Sequence, residues 1–445
     1  MSLIKFSTSS ENISSNGGFS FVSGILDAIP EMRLWDVMFP CYRNVRFSQQ
    51  GIVRSAIGLM TAGCCDYADV EKFREDALFQ HLVADAIPSQ ESFRQRLELL
   101  GGKAWTSIVD SVNASILHKA SLGRIEMYGM NLIPLDIDVS VLEDTASRKE
   151  GIAMSYHHVK GYAPIFCYAG TQGYMVANEM RPGSQHSEKG AVEFLDRCVS
   201  IMLAAGYRAE ELLLRVDSGH DAADFIQKAD DLGIRYLIKR NLRRESEQQL
   251  LDSIRLYEEP ECPRSGKTIY RGIRADRKPA GLDDINLFMV IEGIERTSLA
   301  NGQRLLIPDI EVDCWWTNLP FDVRECVRLY HDHGTSEQFH SELKSDLGIE
   351  LLPSGSMATN ALMLGLASIA FNCLRLIGDA ALPTPATEHE PKRLRLRTVL
   401  LWFIKIGCKL VRHANRLLLK INRHFPYLDA IRRVEALCWQ TAVRL

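Results

Sequence analysis

The sequence predicts an α/β protein of 445 residues: a mixed-sheet core carrying a β-rich insertion, flanked by helical amino- and carboxyl-terminal regions. Three observations predict it. The apolar residues recur at helical spacing up to about residue 125, and strands then alternate with helices to about residue 239. A second strand-rich stretch follows before helices resume near Val327.

The amino-terminal part, 1–125, reads as helical because GIVRSAIGLMTAG and DVEKFREDALFQHLV place apolar residues three and four apart. After the breaker Pro88, Ser89 or Ser92 is placed to cap a helix through ESFRQRLELL. The core begins with NLIPLDIDVSVLE, a short alternating run typical of a strand, followed by YAPIFCYAG and YMVANEMRPGS with glycine turns between them. SEKGAVEFLDRCVSIMLAAG has a helical period ending at Gly206. ELLLRVDSG is then a strand, DAADFIQKADDLG a helix, and IRYLIK a strand. Three strands, a helix, a strand, a helix and a strand is the order of a ribonuclease H-like mixed sheet.

That order divides the chain into a first core part at 126–239, a β-rich insertion at 240–322, a core-completing helical part at 323–380 and a basic helical part at 381–445. ALPTPATEHEP, with three prolines, reads as a linker. The apolar run Ala361 to Ile377 is broken by Asn372 and Arg375, so a buried helix is expected there and not a membrane span. The opening has no apolar run long enough for a signal peptide. Eleven cysteines without CxxC spacing suit reduced thiols in a cytoplasm better than disulfides or zinc.

The net charge of −4 does not mark a nucleic-acid binder, but its distribution does. Between Lys392 and Arg423 stand ten Lys or Arg residues, including Arg393, Arg397 and Arg412, and no acid. Such a stretch suits a phosphate backbone, or a solvated helix face.

Three acids stand where a sheet of this kind gathers side chains. Asp138 lies late in the first strand, with Asp136 two residues earlier on the same face. Asp217 ends the fourth strand before Ser218-Gly219, the place beside a turn where open sheets build sites. Taken singly, either is equally a turn or helix cap. In YHDHGTSEQFHSELK, Tyr330, His333, Glu337 and Lys344 are separated by three, four and seven residues. At about 100° per residue they share one narrow helix face, while Glu342 points elsewhere. Gly334 disfavours a continuous helix, and Thr335 with Gln338 resembles a capping box, so a helix beginning only there is the alternative reading. The histidines here, and His157 with His158, lack a zinc spacing. The latter pair belongs to a polar loop with Lys160.

With these motifs the chain resembles the DDE transposases of bacterial insertion sequences, in the group marked by a tyrosine–arginine–glutamate–lysine signature. Within that group it looks closest to the branch named after insertion sequence thirteen-eighty. The signature residues Tyr330, Glu337 and Lys344 keep their spacing, and His333 stands where the group has arginine. Asp138-Val139-Ser140 and VDSGH at Asp217 match the places of the first and second acids. MRPGSQHSEKGAVEFL, WWTNL, GCCDYADVEKFREDALF and PSQESF add to the likeness.

The resemblance implies a transposase that cuts DNA at the ends of an insertion sequence and joins the freed 3′ hydroxyl to target DNA. Asp138, Asp217 and Glu337 would hold two Mg²⁺ ions, which Mn²⁺ can replace, and Lys344 and Tyr330 would touch DNA. His333 in place of a permanently charged guanidinium makes that contact weaker and pH-dependent, or less important. Trp315 and Trp316 are placed to stack on a displaced base, core packing being the other role open to them. The partners implied are the terminal inverted repeats, target DNA and a second copy of the chain, in a bacterial cytoplasm, on the nucleoid when DNA is bound. A nuclease without strand transfer, and a DNA-binding protein that has lost catalysis, are the rival readings.

Overall fold

The computed structural model describes residues 4, 7–41, 46–243, 245–276, 278–320, 322–383, 393–413 and 416–442. Most of the expected linker, and Lys392, lie outside the described residues. The chain forms two compact units, one of residues 121–141 and 153–339, the other of 1–120, 142–152 and 340–445.

The first unit is built on a ten-stranded sheet. Its strands are β1 (Met130–Val139), β2 (Ile165–Ala169), β3 (Tyr174–Glu179), β4 (Leu212–Val216), β5 (Arg235–Lys239), β6 (Lys267–Arg274), β7 (Phe288–Ser298) and β8 (Arg304–Thr317). Two short strands, Ile125–Met127 and Glu261–Arg264, pair at β1 and β6. The spatial order is β3-β2-β1-β4-β5-β8-β7-β6. The β1–β4 and β4–β5 pairs are parallel. The β1–β2, β2–β3 and β5–β8 pairs are antiparallel. All seven core elements expected between residues 130 and 239 are present. The strands of the expected insertion extend the same sheet, because β8 pairs along β5 from Lys239↔Trp315 to Leu237↔Thr317.

Strand alternation gives the sheet two different faces. One carries Leu213, Leu237, Val290 and Trp315, and is covered by the helix α1 (Val323–His331) through Val323, Cys326, Val327 and Leu329. On the other, Cys167 of β2 meets Cys198 of the helix Ala191–Ala204. Burying these apolar side chains stabilises each by about 1.5–3 kcal/mol relative to exposure.

In the second unit the amino-terminal helices Gln49–Thr61, Gln90–Gly101 and Thr106–Lys119 pack on the helix Met357–Ala381. Ser89 caps the second of these by accepting from the Ser92 amide. Met357–Ala381 is long and apolar enough to cross a membrane, yet 94% of its most apolar stretch is buried inside the protein. Polar pins fix its register: Asn113 donates to Ser368 Oγ at 2.8 Å and accepts from Asn372 at 3.1 Å. Among the described residues no cysteine forms a disulfide.

The basic stretch corrects the expectation of helices. Among its described residues, only Leu396–Val399 and a π-helical turn, Leu400–Ile404, are helical before a hairpin of Cys408–His413 with Arg416–Ile421. Val411, a β-branched residue, and Leu410 suit a strand that also pairs with Ile13–Ser14. A helix, Leu428–Ala442, follows.

Candidate functional site

On the helix-covered face of the sheet, charged residues replace apolar ones as the strands run toward their carboxyl ends. Asp136 of β1 and Arg215 of β4 are register partners, 1% and 2% exposed. Arg215 grips Asp136 with two parallel bonds of 2.7 Å, from Nε and Nη2. Its Nη1 donates at 2.8 Å to the carbonyl of Leu329, in the last turn of α1, where helix carbonyls lack intrahelical partners. The chain then tightens into a 3₁₀ turn, Asp332–Thr335, which returns buried His333 to Asp136, with Nδ1 3.0 Å from Oδ1.

This buried trio ties together the three elements that carry the candidate acids. Asp138 lies two residues beyond Asp136, and Asp217 two beyond Arg215. Each therefore shares its strand's face with a member of the trio, one residue past the last ladder pair, Ile137↔Val216. Glu337 lies four residues beyond His333, exposed on the helix Ser336–Ser341. The structure thus brings Asp138 and Asp217 side by side at the ends of parallel strands. Among the described residues, no three His, Cys, Asp or Glu side chains converge closely enough to hold a metal ion.

Local contacts aim Asp217. Its carboxylate caps the 3₁₀ turn Ser218–His220, accepting from the Gly219 amide at 3.1 Å and meeting His220 Nδ1 at 3.0 Å. Gly219 is required, since a Cβ there would lie 2.7 Å from Ser187 Oγ. Ser187 is held in turn by Arg181, whose buried guanidinium donates to its carbonyl. The MRPGSQHSEKG segment is therefore a scaffold for the turn after Asp217.

Charge is tuned throughout. Burial penalises the Asp136 carboxylate, but Arg215 and His333 outweigh it and hold its pKa below the usual range. Burial likewise opposes ionisation of Asp217, and the His220 contact, the Gly219 amide and the charge of His333 keep its pKa low. For His333 burial favours the neutral ring, yet the Asp136 carboxylate prevails and raises its pKa.

The expected single face of Tyr330, His333, Glu337 and Lys344 is corrected. The 3₁₀ turn advances about 120° per residue in place of 100°, and Glu342–Asp346 is π-helical. Tyr330 and His333 nevertheless keep their rings 5.7 Å apart, with Tyr330 against Trp315. Lys344, half-buried in the π turn, belongs to the second unit.

Two expected DNA contacts have other work. Trp316 is 3% exposed. Its indole N–H donates to Asp221 at 2.9 Å, and Arg240 covers its ring at 5.1 Å, so it is not open to stack on a displaced base. Arg393 pairs with buried Glu342. Arg397 and Arg412 are exposed.

Sequence reading missed Arg215 and His220. The signal for Arg215 was present: a lone cation inside the otherwise apolar strand LLLRV demands a buried counter-charge.

A family model described as "Transposase DDE domain group 1" matches residues 2–272 and 302–441. No curated protein matches the sequence. Among solved structures, the piggyBac transposase synaptic complex with hairpin DNA is similar over 82% of this chain and 77% of that one, at 10% identity and a TM-score of 0.40.

Proposed function

The chain belongs to the DDE transposase family, and from that premise we propose that it cuts DNA at the ends of an insertion sequence and transfers the freed 3′ end to target DNA. Asp138, Asp217 and Glu337 are the metal-holding acids of this reading, on a ribonuclease H-like core whose β3-β2-β1-β4-β5 order supports the assignment. The branch is that of insertion sequence thirteen-eighty.

The observation that carries the proposal is the buried trio of Asp136, Arg215 and His333. Every candidate acid follows a member of that trio by one strand repeat or about one helical turn, so one ion-paired cluster positions all three elements.

The donor set fits Mg²⁺, which takes one or two hard carboxylates and keeps its remaining positions for water and phosphate oxygens. Bound divalent ions would activate the attacking oxygen and neutralise charge on the leaving one. Asp138 and Asp217 present that pair from adjacent strand ends, and Glu337, which does not converge with them in this structure, would complete the set from the helix. The His220 contact keeps Asp217 ionised and aimed, and His333 adds positive charge beside the acids. Lys344 and Tyr330 contact DNA near the cut, and exposed Arg397 and Arg412 hold its backbone. The helical amino-terminal region binds the transposon end. Two copies act together in a bacterial cytoplasm, one on each end.

The test is cleavage and strand transfer with duplexes carrying the DNA that flanks the gene. With Mg²⁺ the protein should nick the end and join it to a second duplex; chelation, Asp217→Asn and Glu337→Gln should each abolish both. Cleavage without joining would leave a nuclease. End binding with no Mg²⁺-dependent cleavage would leave a DNA-binding protein and end the catalytic reading.

A further inference from the structure

Beside the paired aspartates stands an aromatic group to which no role has yet been given. The strands Ala153–Met154 and Lys160–Tyr162 form a hairpin. It is closed by Ser155 N–H donating to Val159 at 2.9 Å and His158 N–H donating to Ser155 at 3.0 Å. His158 has a φ of +59°, the strained geometry that makes so tight a turn. The hairpin is backed by Gly183, where a Cβ would lie 2.3 Å from the Gly161 carbonyl and 2.4 Å from that of Ala153.

Tyr156 projects from this turn. Its hydroxyl donates at 3.2 Å to the carbonyl of Val139, the residue directly after Asp138. The phenol is thereby pinned at the carboxyl end of β1, yet Tyr156 remains 58% exposed. His157, also exposed, lies against its ring at 4.0 Å with a tilt of 39°. Burial first, and then the charges of Asp138 and Asp217, push its pKa up to about 12, so it stays a neutral ring.

An exposed, anchored aromatic pair beside two acids has no packing role to explain it. Apolar ring faces are held in water while their polar edge is satisfied, which favours a flat ligand with its own π-face. Nucleobases are such ligands, and their stacking tolerates any sequence.

Resting on the proposed DNA chemistry, we propose that Tyr156 and His157 form a stacking platform for the nucleobase next to the phosphate held at Asp138 and Asp217. The ring does the binding, and the hydroxyl only orients the ring.

The full chain and a flanking-end duplex containing 2-aminopurine, placed in turn at each position around the cut, test this. In wild type, emission from a probe at one position should be quenched on binding. Tyr156→Ala and His157→Ala should each relieve that quenching, and Tyr156→Ala should slow cleavage by roughly 10- to 100-fold. Tyr156→Phe should keep the quenching and most of the rate, because the ring survives. His157→Ala alters only an exposed side chain, so it reads the platform even if Tyr156→Ala folds poorly. Asp217→Asn should lose cleavage and keep the quenching. Wild-type protein that fails to cut would sink the cleavage reading while the fluorescence still judged the platform. Unchanged quenching in both alanine variants, or Tyr156→Phe as impaired as Tyr156→Ala, would overturn the platform.

Discussion

Each unit of this protein contains a buried cluster in which arginine holds a carboxylate, and two such clusters differ in what lies next to them. In the sheet-bearing unit, Asp136 is held by Arg215 and His333, and two residues further along each strand stand the candidate acids Asp138 and Asp217. In the helical unit, buried Glu342 is held by Arg375 at 2.8 Å, by Arg393 and by the Leu396 amide at 3.1 Å. Asp346 beside it receives Arg395 and the Arg397 amide. No candidate acid neighbours the second cluster. The same electrostatic device therefore stands beside candidate acids in one place and within a helical core in the other. Burial of an ion pair does not by itself mark a functional site.

The strongest way to break this comparison is to remove the central cation from each cluster. Arg215→Met and Arg375→Met should each destabilise by up to about 3–5 kcal/mol, because each removes a buried counter-ion and leaves the carboxylate to its remaining partners. Denaturant unfolding measures that loss. The contrast lies in activity per folded molecule: Arg375→Met should keep it and Arg215→Met should lose it. Equal activity in the two would erase the distinction.

Next in size are the acids themselves. Asp217→Asn and Glu337→Gln should each abolish cleavage, a loss of at least about 10²–10³-fold as for a main electrostatic stabiliser. Their melting temperatures should stay near wild type, since both side chains are solvent-accessible. A large drop in melting temperature with cleavage retained would make them structural.

A smaller effect separates the clusters by pH. The folded pKa of His333 is raised, so its contribution is complete below its unfolded value near 6.5 and is lost as pH rises through the folded value. The low pKa of Asp136 acts oppositely, its contribution fading only in acid. Stability of the sheet unit should therefore decline as pH rises from about 6.5 through the folded pKa of His333. His333→Gln should flatten that decline. An arginine-only cluster such as that of Glu342 should show no comparable slope. An identical pH profile for wild type and His333→Gln would show that His333 is not charged in the folded protein.

The smallest effect concerns the basic carboxyl-terminal stretch. Arg412→Ala should reduce the slope of log affinity against log salt by about 0.9, one phosphate contact, with stability unchanged. Arg393→Ala should weaken folding and leave the slope alone, because that guanidinium is spent on Glu342.

The sheet from β1 to β5 was legible because alternation and helical period are strong signals that tertiary packing reinforced. Asp138 and Asp217 were legible as strand-end acids beside turns. The path after Tyr330 was only partly so. Gly334 and Thr335 signalled an interruption, but its 3₁₀ form depends on Arg215 accepting the task of satisfying Leu329, a contact 114 residues away. The hairpin Cys408–His413 with Arg416–Ile421 was hidden by a run of charges at spacings that also suit a helix. Trp316 misled because exposure cannot be read from residue type: its place in the β5–β8 ladder buries it.

The distances along the chain between partners have a consequence for biosynthesis. Asp136 waits for Arg215, 79 residues later, and for His333, 197 residues later. The strand Ile13–Ser14 waits for Cys408–His413. A ribosome that has not yet reached Arg215 has therefore produced an acid whose counter-ions do not yet exist, and a first strand with no mate. Such contacts close slowly and late. A prematurely terminated product ending before His333 would thus lack one of the two partners of Asp136, and the candidate acid Glu337 as well.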